Sequence, residues 1–132
     1  MAYVTAEMTK AVRVALKEQM PGWEIRVTKT DSTIFMKIDT APKEFDLDLE
    51  FQDDDRRELG YMHINHYYID HYLHNEQYSK ILAIMLKATA SVGRPYYNNS
   101  DAQIDYFDVA YYYYLSIGSC EKPYIKKENN VL

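Results

Sequence analysis

All four histidines fall within twelve residues, at His63, His66, His71 and His74. Imidazole is the commonest metal ligand and a neutral-pH acid and base, so the cluster raises two chemistries. One is a zinc or nickel site with Asp70 as ligand or supporting partner; the other is an assembled His/Asp/Tyr reaction centre. Spacing works against both. On one strand His63 and His66 differ by three and fall on opposite faces. A shared site therefore needs a chain reversal near Asp70 to bring His71 or His74 beside one of them. His66, His71 and His74 are the metal candidates, set against the plainer reading of histidines in an aromatic strand and its exit loop.

Three further groups carry chemistry by type. Eight of the twenty carboxylates lie between Glu44 and Glu58. Within that run Asp46, Asp48, Glu50, Asp53, Asp54 and Asp55 form a patch suited to a basic partner surface, or else a solvated strand face that protects an edge. Cys120 lacks any local nucleophile signature, and one cysteine excludes both a disulfide framework and a multi-cysteine zinc site. The fourteen tyrosines are the compositional bias, and all but Tyr3 lie between Tyr61 and Tyr124. Of these, Tyr112 and Tyr114 occupy one face of the clearest strand. Uncovered, they form a patch for protein recognition or base stacking; covered by a helix, they are core.

Other chemistries lack their residues. No Gly-rich phosphate loop, dinucleotide fingerprint or nucleophile elbow occurs, and only four glycines are present. No cofactor is called for. A net charge of −5, from 15 Lys and Arg against 20 Asp and Glu, lowers the case for nucleic acid. No apolar leader and no long uncharged apolar run appear, so neither secretion nor membrane spanning is expected, and a soluble intracellular protein is the default.

The elements that must position these residues follow from periodicity. Residues 5 to 20 read as a helix with Thr5 as N-cap and Met8, Val12 and Leu16 on one face, stopped by Pro21-Gly22. Trp23, Ile25 and Val27, then Ile34, Met36 and Ile38, alternate with polar residues and with Phe35 across a Thr30-Asp31-Ser32 turn, as a hairpin does. Phe45 to Phe51 alternates with acidic residues and reads as a strand, with a helix over residues 43 to 51 as competitor. Tyr61 to Ile69 reads as another strand. Asn75 is placed to cap a second helix with Tyr78, Ile81, Leu82, Met85, Ala88, Thr89 and Val92 on one face, ended by Gly93 and Pro95. Phe107, Val109, Tyr111, Tyr113, Leu115 and Ile117 form the inner face of the last strand. The 132 residues make a single α+β domain, 1–132, with residues 126–132 as a frayed tail. Two main helices pack on one face of a mostly antiparallel sheet of about four to five strands.

One stretch carries a resemblance. It runs Asn98-Asn99-Ser100-Asp101-Ala102-Gln103-Ile104-Asp105-Tyr106-Phe107-Asp108-Val109-Ala110-Tyr111-Tyr112, followed by Ile117-Gly118 and Lys122-Pro123-Tyr124. This pattern resembles the large polyvalent protein-associated domains of phages, plasmids and other mobile elements. Pro21-Gly22-Trp23, Lys37-Ile38-Asp39-Thr40-Ala41-Pro42 and Asn65-His66-Tyr67-Tyr68-Ile69 are similar in order and character, while the acidic segment 44 to 58 departs from the pattern. The resemblance implies context and supplies no catalytic residue. It implies a phage or plasmid accessory protein in the bacterial cytoplasm, with counter-defence of the anti-CRISPR or anti-restriction kind as the working role. Its partner is then a host protein, a defence complex being the leading kind, ahead of nucleic acid and with no membrane. Fold-level context is not a site, so a binding module, a nucleic-acid platform and an enzyme all stay open at this point.

Overall fold

The computed structural model describes residues 2–42, 45, 62–99 and 109–118. The acidic run, with Asp46, Asp48, Glu50, Asp53, Asp54 and Asp55, lies outside the described residues. So do Cys120, the strand expected over most of Phe45 to Phe51, and the tail from residue 126.

Helix α1 spans Ala6–Gln19. Thr5 caps it as expected: its hydroxyl accepts the Met8 amide at 3.2 Å, while the Thr5 amide donates to Met8 Sδ at 3.3 Å. The methionine thus takes the return role that Glu usually plays in a capping box. Gly22 ends this region at φ +87, a left-handed conformation that glycine accepts without strain. A Cβ there would meet Pro42 at 3.0 Å.

Strands β1, Glu24–Lys29, and β2, Thr33–Thr40, form the antiparallel hairpin, with a register shift between Glu24 and Ile25. A short strand β3, Met62–Ile64, leads into two 3₁₀ turns over His66–His71 that meet at a kink at Tyr68. The strand expected through Ile69 is therefore cut short. The Asn65 amide donates to the Tyr72 hydroxyl at 2.9 Å instead of to a neighbouring strand, and the Tyr68 amide closes a turn on Asn65. Aromatic residues favour strands only where a sheet edge is available to them.

Helix α2 spans Asn75–Ser91. Its N-cap is His74, and Asn75 is the first helical residue, its side-chain amide donating back to the Tyr72 carbonyl at 2.9 Å. The predicted cap is displaced by one position because the preceding turn presents an acceptor to that amide. The last strand, β4, is Tyr112–Ile117.

The sheet order is β1-β2-β4-β3. The outer pairs are antiparallel and the central β2–β4 pair is parallel, so the α+β fold carries a mixed sheet. Period-two alternation sorts its faces. Val27, Ile34, Met36, Ile38, Ile64, Leu115 and Ile117 are buried against Met8, Val12 and Leu16 of α1 and Tyr78, Ile81 and Met85 of α2. Burying a side chain of that size contributes about 1.5–3 kcal/mol, so this layer holds the sheet to the helices. Tyr111, just before β4, is fully buried, with its hydroxyl 2.7 Å from Thr89 Oγ1 and 3.5 Å from Met85 Sδ. No described helix is long and apolar enough to cross a membrane.

Candidate functional site

The opposite face of the sheet carries the side chains left over by that sorting. Tyr112 and Tyr114 are 43% and 42% exposed, the arrangement that a recognition patch requires and a covered core does not. Strand register extends the patch. Phe35 pairs with Tyr114 across the parallel ladder, and their rings lie 5.7 Å apart at 20°. His63, on β3, adds its ring to Tyr114 from the other side at 5.4 Å. Lys37, two residues along β2, places its ammonium 5.6 Å from the Phe35 ring centre, within reach of a cation–π contact. A row runs His63–Tyr114–Phe35, with Tyr112 and Lys37 beside it.

At the β1 end the same face turns polar. Arg26 and Asp39 form an ion pair at 3.4 Å, and the Asp39 side chain is only 8% exposed. Asp39 sits at the register shift where β1 and β2 depart from regular pairing. Arg13, on α1, donates to the outward carbonyl of Val27 at 2.9 Å and so occupies part of the β1 edge. Edge backbone engaged in this way resists pairing with a foreign strand.

The histidines are distributed among aromatic neighbours. The His66 ring lies 4.7 Å from that of Tyr113, His71 lies 6.0 Å from Tyr68, and His74 meets Phe45 and Tyr78 edge-on at 6.3 and 6.5 Å. Among the described residues no group of three or more His, Cys, Asp or Glu gathers closely enough to hold a metal ion. Burial first, and the neighbouring His63 second, lower the His66 pKa below the usual 6.5. Burial raises the Tyr111 phenol above its usual range, against the hydrogen bond with Thr89.

Sequence reasoning singled out Tyr112 and Tyr114 but not Phe35, Lys37 or His63 as their companions. The signal for Phe35 was present, since a phenylalanine stands on the polar side of the β2 alternation. What was missing was the strand order, because β2 and β4 are adjacent only through a crossover that spans more than seventy residues of sequence. Of residues 98–124, Val109, Ala110 and Tyr111 are buried and serve the core.

Fold and face together define a class: an α+β domain with one sheet face sealed by helices and the other bearing exposed aromatic rings. Comparison with protein-family models, curated proteins and solved structures gives no match.

Proposed function

We propose that this protein is a small non-enzymatic binding protein of a phage or other mobile element, acting on a host protein through the open aromatic face of its sheet. The supporting observation is the row His63–Tyr114–Phe35 on that face, with the exposed Tyr112 beside it. Aromatic residues are enriched at the centres of protein interfaces, where large, rigid rings bury much area at small entropic cost. The resemblance of residues 98 to 124 to mobile-element domains supplies the setting, with counter-defence as the role. The acidic run from Asp46 to Asp55 adds charge complementary to a basic partner.

Phage plating on bacteria carrying an active CRISPR or restriction system tests the reading. Expression of the full chain restores plating, and the double substitution Tyr112→Ala/Tyr114→Ala abolishes the effect with an unchanged melting temperature. Asp53/Asp54/Asp55→Ala weakens it less. Equal plating with and without the protein across defended hosts sinks the reading.

A second reading rests on the near-parallel Phe35–Tyr114 pair with Lys37 beside it, an arrangement on which bases of a single strand stack. The net charge of −5 opposes it. Anisotropy of labelled oligothymidine at low salt checks it: binding that falls steeply with salt and is lost in Tyr114→Ala favours it, and no binding dismisses it.

A further inference from the structure

Helix α1 turns one side to the core and the other outward. Met8, Val12 and Leu16 are buried, while Glu7, Lys10, Val14 and Glu18 follow one another along the exposed side. Three of those four are charged, as suits a solvated helix face. Val14 is the exception, 48% exposed in the middle of the helix and outside the hydrophobic core. A β-branched side chain there favours neither the helix nor the packing of a single copy.

Val14 borders an open groove of about 530 Å³ between α1 and α2. Among the described residues Ala11 and Ala15 of α1 and Ile84 and Ala88 of α2 give it an apolar lining, and small side chains let another helix come close. Glu7, Lys10, Glu18 and Lys87 are its charged members, and among the described residues none of them forms an ion pair. Two acids and two bases balance, so the groove offers no net sign to a strongly acidic or basic partner.

The order of the charges selects a different occupant. Lys10 precedes Val14 by four residues and Glu18 follows it by four, about 6 Å along the axis in each direction. A two-fold axis through Val14, perpendicular to α1, lays a second α1 antiparallel on the first. It sets Lys10 of each copy against Glu18 of the other and brings the two Val14 side chains together. A parallel arrangement would set like charges together at both positions. Within one chain the two cannot pair, since eight residues of helix hold them about 12 Å apart.

We infer that this groove seats a second copy of the chain in an antiparallel, two-fold contact centred on Val14 and closed by two Lys10–Glu18 pairs. Self-complementarity of this kind is what a closed two-fold dimer requires. Exposed ion pairs fix geometry more than they add affinity, and the apolar side chains newly covered are small. The dimer is accordingly weak, dissociating on the order of tens of micromolar. Because α1 and α2 lie on the inner side of the sheet, the contact leaves the aromatic row of each copy uncovered.

Sedimentation velocity of the full chain, from about 5 μM to about 1 mM, brackets that constant. Wild type passes from monomer to dimer across the range. Val14→Glu, at an exposed position and with an unchanged melting temperature, stays monomeric because it puts two carboxylates on the axis. Lys10→Glu alone and Glu18→Lys alone each weaken association roughly tenfold or more. The double substitution Lys10→Glu/Glu18→Lys restores it. So does an equimolar mixture of the two single variants, in which every facing pair is again opposite in sign. Wild type that stays monomeric throughout, leaving the groove to a foreign helix, overturns the inference. A double variant as weak as the singles, or singles that associate like wild type, does the same. Self-association kept in Val14→Glu and lost in Tyr112→Ala/Tyr114→Ala also overturns it, by assigning the contact to the aromatic face.

Discussion

Consecutive tyrosines on one stretch of chain meet opposite environments. Tyr111 is fully buried, hydrogen-bonded to Thr89 and in contact with Met85, whereas Tyr112 and Tyr114 stand more than two-fifths exposed. The residue type is the same, and the pleat decides the rest, because successive side chains leave a strand on opposite sides. Inward tyrosines behave as core with a satisfied polar tip. Outward ones collect Phe35, His63 and Lys37 into a surface. The difference teaches that this run of tyrosines serves two environments, with Tyr111 in the core and Tyr112 and Tyr114 as its exposed members.

The largest expected effect breaks the core side. Leu115→Ala lowers unfolding free energy by about 2–5 kcal/mol in urea titrations, through lost burial and a residual cavity. Tyr114→Ala, one position away, costs under about 1 kcal/mol yet removes the plating phenotype. Similar costs for the two would erase the distinction between the faces. Tyr111→Phe sharpens it further: loss of the shared hydroxyl contact with Thr89 costs about 1 kcal/mol, and the melting temperature reads the change.

Smaller still is the effect of Lys37→Glu. Stability changes by under about 1 kcal/mol, since Lys37 is half-buried on the outward face and its contact is with the Phe35 ring, but docking by a basic partner strengthens and oligothymidine binding weakens. The mildest effect is protonic. The folded-state pKa of His66 lies below 6.5, so between that lowered value and 6.5 the unfolded chain binds protons that the folded chain refuses. Stability therefore declines slightly as pH falls through this window and recovers as pH rises, a dependence lost in His66→Phe. A midpoint at or above 6.5 for the His66 ring signals in NMR would overturn this sign.

Much of the architecture was legible because it follows from short-range rules. Thr5 at the start of α1, the alternation of Ile34, Met36 and Ile38, and the Tyr78–Ile81–Met85–Ala88 stripe each state their own secondary structure and inner face. Two local readings failed for the same reason. Asn75 and the run from Asn65 to Ile69 both lie where the Tyr72 hydroxyl or carbonyl captures a group that sequence patterns assign to a cap or a ladder.

By itself the sequence determined the alternation within β4, and so which tyrosines share a face, since the period of an extended chain is a property of its covalent geometry. Whether that face is covered and which strand lies beside it are set by contacts between segments far apart in the chain. Only the tertiary structure decided those, because side-chain pairs across strands depend on strand order and register, and neither is encoded in any local stretch of residues.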